Sequence, residues 1–156
     1  MPIVTVRETI SASALEVFQM LADPEQSIRF DPDVLGVEYI TDFKAAPGAR
    51  FRQRRKGPKG SEMSLCLEIR EYEPPLRARM VTQTNGTEWD TLYTFEEDEE
   101  GRTRVTLEMA ARSDSLLKSF MNGLMRGLFR RGIAKHMAAA KMRLETHSPT
   151  EVTGHV

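Results

Sequence analysis

The chain has one cysteine, Cys66. Without a second thiol there is no internal disulfide, and no zinc site can be assembled from cysteines. Cys66 sits inside an alternating apolar run, which marks it as a packed thiol rather than a nucleophile. Histidine is also scarce. His147 and His155 fall at the C-terminal end and His136 lies among lysines, none in a metal-ligand spacing. No metal site and no cofactor are expected. No apolar run approaches the roughly 20 residues of a membrane span, and "MPIVTVRETI" lacks a signal-peptide pattern. The expectation is a soluble, cytoplasmic protein. Charge of one sign is not in excess either: Lys+Arg number 22 and Asp+Glu 23, a net −1 over 156 residues. A dedicated nucleic-acid binder is basic overall, so DNA is not an expected partner. Neither a Ser-His-Asp arrangement nor a glycine-rich phosphate loop is visible.

What is present is a clear change of period along the chain. Residues 3–10, "IVTVRETI", are β-branched and alternate, which predicts a strand. Ser11 or Ser13 offers an N-cap for "SALEVFQMLADPE", with Leu15, Phe18 and Leu21 on one face. Asp23-Pro24 ends that helix, because proline disfavours helix in the residue before it. A short second helix or turn follows in "PEQSIRF". From Val34 the pattern is that of six strands, "VLGVEYITD", "ARFRQRRK", "EMSLCLEIREY", "LRARMVTQT", "EWDTLYTFEE" and "RVTLEMAAR". The breaks between them are short and rich in glycine, proline or acid, as antiparallel hairpins require. Residues from Asp114 to about Thr146 read as a helix, and 147–156 as a disordered tail. Strands in a run followed by a helix imply an α+β fold: one curved antiparallel sheet of seven strands whose apolar face is covered by the final helix.

That order resembles the helix-grip fold of the START-like, Bet v 1-like (SRPBCC) superfamily, and within it the polyketide cyclase/dehydrase and lipid-transport branch. The stretches that carry the likeness are "ALEVFQMLADPE", "PGARF", "EYEPPLRARM" and "YTFEEDEEGRTRVTLEM", together with the long terminal helix. The resemblance covers residues 3–146 and implies one domain over 1–146, with two short helices between the first two strands. It also implies an apolar ligand held between sheet and helix. These motifs are structural, so they speak to fold more than to function.

Alternation assigns the inner face of each strand. It places Phe51, Gln53 and Arg55 inward, then Met63, Leu65, Leu67 and Ile69, then Leu76, Ala78 and Met80. Trp89, Thr91, Tyr93 and Phe95 follow, then Val105, Leu107 and Met109. Buried Trp89 and Tyr93 carry polar groups able to orient a ligand in an apolar pocket. The expected ligand-binding set is Phe51, Leu65, Leu67, Met80, Trp89, Thr91, Tyr93, Leu107 and Met109, with Met121, Leu124 and Leu128 from the helix. Glu68, Asp90 and Glu108 alternate away from it. In the helix, a stripe of Leu117, Met121, Leu124, Met125 and Leu128 lies roughly 160° from a second stripe of Ile133, Met137, Ala140 and Leu144. One straight helix cannot press both on one sheet. The sequence therefore predicts a bend near Arg130 to Gly132 or a first half that packs elsewhere.

The stretch "RFRQRRKGPKGSE" (50–62) gathers six cations in one hairpin. Alternate turns of a meander lie at the same end of the sheet, so this hairpin, the "NGT" turn and Arg112 share one end, while "EYEPP" and "EEDEEG" make the other end acidic. Arg55, Lys56, Lys59 and Arg112 are the expected rim of a cavity mouth, suited to an acidic head group. The plain alternative is a solvated hairpin kept soluble by charge. Three functions stay open: a binding or transport protein for an apolar lipid or polyketide-like molecule; a cyclase/dehydratase-type enzyme, for which no catalytic constellation is visible; and an interaction protein whose basic hairpin meets RNA or a ribosome, as in toxin-like relatives. The oligomeric state is not legible.

Overall fold

The computed structural model describes residues 2–84, 86–112 and 123–147. Strand β1 (Val4–Ile10) leads through helix α1 (Ala14–Ala22), a 3-10 turn at Pro24–Gln26 and the short helix α2 (Ser27–Phe30). Six strands follow: β2 (Val34–Tyr39), β3 (Arg50–Lys56), β4 (Glu62–Glu73), β5 (Arg77–Thr84), β6 (Thr87–Glu97) and β7 (Thr103–Arg112). Helix α3 (Gly123–His147) ends the described chain. All strands join one antiparallel sheet in the order β1-β7-β6-β5-β4-β3-β2. The α+β, helix-grip expectation is met. The expected tail beyond His147, and the helical reading of 114–122, lie outside the described residues.

Helix α1 begins where Ser13 accepts a hydrogen bond from the Glu16 amide at 3.2 Å, a side-chain N-cap. It ends at Asp23, which is extended ahead of Pro24. Its buried face is Ala14, Val17, Phe18, Leu21 and Ala22. Leu15, expected inside, is half-exposed, since it stands about 100° round the helix from Ala14. Phe18 is fully buried and meets Tyr72 and Phe95 edge-on, each at 5.1 Å between centroids.

The acidic end of the sheet closes the molecule. Glu97 accepts from the Ala14 amide at 2.6 Å, so a carboxylate meets the positive end of α1. Thr103 donates to the Ala12 carbonyl at 2.7 Å, and the Ser11 amide donates to Glu145 of α3 at 2.8 Å. Helix α3 docks through Phe129, Ile133, Met137, Ala140 and Leu144 onto the cluster that includes Val4, Val6, Val105, Leu107 and Met109. Lys141 pairs with Glu8 at 3.2 Å. Of the two expected outcomes, a bend near Arg130–Gly132 or a first half that packs elsewhere, the described residues show one continuous helix through Arg130–Gly132, and most of the first half lies outside them. The second stripe docks through Ile133, Met137, Ala140 and Leu144; of the first stripe, Leu128 is exposed and the other side chains lie outside the described residues.

Strand registers put Phe51 opposite Leu67, Met80 opposite Thr91, and Tyr93 opposite Leu107, all on the concave face. Simple alternation is broken in β2, between Val34 and Gly36, and at two places nearer the site. A bulge between Ile69 and Glu71 shifts the parity of β4 and turns Tyr72 inward, opposite Ala78. Leu76, expected inside, is exposed, because it belongs to the β4–β5 turn ahead of Arg77.

The face assignment of α1 has a direct consequence. Phe18→Ala should destabilise the protein by about 3–5 kcal/mol, and Leu15→Ala by no more than about 0.5 kcal/mol. Urea unfolding of both variants measures the contrast; equal losses would contradict the packing described.

Candidate functional site

The concave face has two unequal halves. Under α3 and α1 the side chains are closed off: Val105, Leu107, Met109, Phe95 and Tyr93 are buried. Towards β3 and β4 a second, smaller cluster forms from Ala49, Phe51, Ile69 and Met80. Leu67 packs half-buried against it, and Leu65, Thr91 and Gln53 on the same face are also only half-buried; Trp89, half-buried too, packs against the first cluster. Trp89 reaches α3, its ring 5.1 Å from that of Phe129. All nine strand residues expected to line a ligand site therefore share one concave surface. Five of them, Phe51, Met80, Tyr93, Leu107 and Met109, are buried in packing, and four, Leu65, Leu67, Trp89 and Thr91, keep accessible surface.

Leu128 is 53% exposed and points away from the sheet, a correction that follows from its place opposite the docked stripe. Met121 and the side chain of Leu124 lie outside the described residues. Cys66 corrects another expectation: it is exposed on the convex face, opposite Arg52, because the alternation that turns Leu65 and Leu67 inward turns Cys66 out. Asp90 stays on the convex face as expected, but it is buried there, 3.0 Å from Arg79, which also holds Glu71.

At the open end of the sheet the structure assembles a polar cluster that the sequence did not reveal. Asp31, in the link from α2 to β2, is 4% exposed. Its Oδ2 lies 2.6 Å from His136 Nδ1 and 3.7 Å from the Arg55 guanidinium. Its Oδ1 accepts from the Asp33 amide at 2.9 Å. Burial pushes the Asp31 carboxyl up. The hydrogen bonds from His136 and the Asp33 amide, with the charges of His136 and Arg55, outweigh burial and hold it below its ordinary 3.8. An ionised carboxylate only accepts, so His136 Nδ1 donates and, in the neutral ring, Nε2 is the acceptor. The ring is mostly covered and lies 5.0 Å from Phe30. Arg55 also donates to Gln53 at 3.3 Å. Tyr93 senses this cluster: burial pushes its phenol up to about 12, the Arg55 charge pulls it down and Asp31 pushes it up.

Arg55 thus points inward as expected, but it serves Asp31. Lys56, Lys59 and Arg112 are exposed at the same end. Lys59 stands in the β3–β4 turn at φ 57, in the left-handed region. Arg112 opposes Glu88 in the β6–β7 register, and Arg54 pairs with Glu62 at 2.7 Å. Among the described residues no group of His, Cys, Asp and Glu is placed to hold a metal ion, and no helix is long and apolar enough to cross a membrane. A cleft of about 580 Å³ does exist, but between α2 and the far side of α3, away from the concave face.

Comparison with known proteins places these features in a family. The family model described as polyketide cyclase / dehydrase and lipid transport matches residues 1–145. No curated protein matches the chain in sequence. Solved structures share the fold at low identity. The protein TTHA0849 from Thermus thermophilus superposes with a TM-score of 0.73 at 18% identity, covering 93% of this chain and 98% of its own. The di-domain ARO/CYC StfQ from the steffimycin biosynthetic pathway gives 0.71 at 16%, covering 92% of this chain and 45% of its own. Ara h 8.0201 gives 0.71 at 9%, covering 92% and 97%.

The depressed Asp31 carboxyl fixes a pH dependence. Its native pKa lies below the unfolded 3.8, so the stability it contributes is complete above that value and is lost as pH falls through the native pKa. Asp31→Asn should cost about 1.5–3 kcal/mol at neutral pH. The gap between wild type and variant should narrow below pH 3.8. Asp98 is depressed in both proteins, so only the difference between their acid unfolding curves reports on Asp31. A gap that stays constant into acid would exclude the ionic pairing.

Proposed function

The chain belongs to the polyketide cyclase/dehydrase and lipid transport family, and from that premise we propose that it binds an apolar small molecule, lipid or polyketide-like, against the open half of its concave face. One observation carries the reading. Leu65, Leu67, Trp89 and Thr91 keep accessible surface on the same inner face where Phe51, Ile69, Val105 and Leu107 are closed. Apolar surface left open inside a curved sheet is stabilised when a ligand covers it. Leu67, Trp89 and Thr91 are the wall, and Tyr93 and Arg55 are the polar groups at its edge. Arg55 already faces the Asp31 carboxylate. A second carboxylate would compete for that guanidinium and meet a like charge, so the favoured head group is neutral, such as a carbonyl or hydroxyl. Lys56 and Lys59, exposed at the rim, add at most a screened attraction.

A second reading, an enzyme of the cyclase/dehydratase type, is favoured by the Asp31–His136 pair. A histidine oriented through Nδ1 by a carboxylate leaves Nε2 to accept a proton. On that reading His136 is the base, Asp31 positions it and Arg55 polarises a carbonyl of the bound molecule.

Quenching of Trp89 by a homologous series of fatty alcohols and fatty acids tests binding. Each added methylene should tighten Kd about fourfold until the site is filled, with alcohol and acid of one length within about fivefold. No dependence on chain length would remove the apolar-ligand reading. His136→Gln should leave these affinities unchanged and abolish turnover if a polyketide-like substrate is converted; turnover that survives would remove the second reading alone.

A further inference from the structure

The face of α3 turned away from the sheet carries its own pattern. Leu128, Arg131, Lys135, Ala138 and Met142 recur at alternating three- and four-residue steps, which aligns them on one side of the helix. All are exposed, Met142 by 71% and Leu128 by 53%. Arg143 borders this row, and Arg29 of α2 stands across the cleft of about 580 Å³ whose floor includes Phe30, Pro32 and Ala138. Among the described residues, Arg29, Arg131 and Arg143 have no carboxylate partner. Lys135 meets Asp33 at 3.5 Å, both accessible to solvent. A protein with net charge −1 therefore presents one strongly cationic face with large apolar side chains set among the cations.

We propose that this face is a docking surface for an anionic lipid bilayer. Met142 and Leu128 enter the boundary between head groups and acyl chains, and Arg29, Arg131, Lys135 and Arg143 meet the anionic head groups around them. Basic residues flanking exposed apolar side chains on one helix face suit an interface that is charged outside and apolar just beneath. The geometry disfavours a single free anion. Arg131 and Arg143 are about 18 Å apart along the helix, farther than one head group reaches, and the cleft is open rather than enclosing. The apolar members disfavour nucleic acid, whose phosphate backbone offers nothing to Met142 or Leu128. Since the opposite face of α3 is committed to the sheet, the helix lies on the membrane surface without entering it. This docking is independent of what the concave face holds.

Sedimentation of the full chain with vesicles tests the proposal. The protein should pellet with vesicles of phosphatidylcholine mixed with phosphatidylglycerol, stay in solution with phosphatidylcholine alone, and be released by high salt. Arg131→Glu with Arg143→Glu should lower the partition coefficient at least about 25-fold, since each cation near such a surface is worth about fivefold. Lys56→Glu with Lys59→Glu, at the β3–β4 turn, should change it less than twofold. Met142→Ser should weaken it about tenfold with net charge unchanged. All these positions are exposed, so thermal melts should match wild type. The proposal is overturned by absence of pelleting with the anionic vesicles, by an equal loss in the β3–β4 variant, by an unchanged Met142→Ser, or by salt-sensitive retention of RNA through Arg131 and Arg143 in place of vesicles.

Discussion

One helix is too narrow to cover seven strands. Strands about 4.8 Å apart make a sheet about 29 Å across, while a helix with its side chains is about 10–12 Å wide. The concave face must therefore be covered piecemeal, or part of it stays open. In this protein α3 seals the edge formed by β1 and β7, through Met137, Ala140 and Leu144. Helix α1 fills the corner beside it with Phe18. The half towards β3 and β4 keeps only a small cluster around Phe51 and Ile69. Stability and binding are thereby assigned to different parts of one surface. The closed end is also fastened by polar links, Glu97 to α1 and Glu145 to the β1–α1 link, which leaves the opposite end free to differ.

At that opposite end a buried carboxylate sets the conditions. Asp31 is nearly sealed from solvent, and an unpaired charge there would be strongly unfavourable. His136, Arg55 and the Asp33 amide together satisfy it. These partners come from α3, β3 and the Asp31 link itself, so one ionised group joins three separate pieces of the chain. The arrangement ties α3, which packs on the closed half, to Arg55 of β3 without filling the open half with apolar atoms. It also changes the electrostatics of any ligand site: the inward cation arrives already neutralised, which favours polar neutral groups over acids.

Much of this was legible in the sequence because side-chain direction in a strand has period two. Trp89, Thr91, Tyr93, Leu107 and Met109 could be placed on one face from spacing alone. Period two fails where the chain breaks it. The bulge at Ile69–Glu71 turned Tyr72 inward and the β4–β5 turn put Leu76 outside. Helical stripes were legible as stripes, but sequence does not say which stripe docks; Leu128 and Met137 are both apolar, and only Met137 is buried. The Asp31–His136 contact was not legible at all. Its members are 105 residues apart, and His136 read locally as one more basic residue beside Lys135. The only local hint is the "DPD" break, which places a carboxylate where a turn ends and leaves its partner unspecified.

Charge shows the same limit from another side. The run Arg50 to Lys56 is the densest cationic stretch in the chain, yet strand pairing surrounds it with acid: Glu38 lies opposite Arg52, Glu62 beside Arg54 and Glu68 opposite Arg50. A hairpin draws its neighbours from other strands, and those strands bring the counter-charges. A helix draws its nearest neighbours from its own sequence three and four residues away. Around Arg131 these are Gly127, Leu128, Ala134 and Lys135, with no acid among them. Within α3, Arg126, Arg130, Arg131, Lys135, Lys141 and Arg143 meet one acid, Glu145, although Lys135 and Lys141 find Asp33 and Glu8 on other elements. The less conspicuous run therefore also presents unpaired cations, because a field is set by the charge left unpaired after folding and not by the density of like charges along the chain.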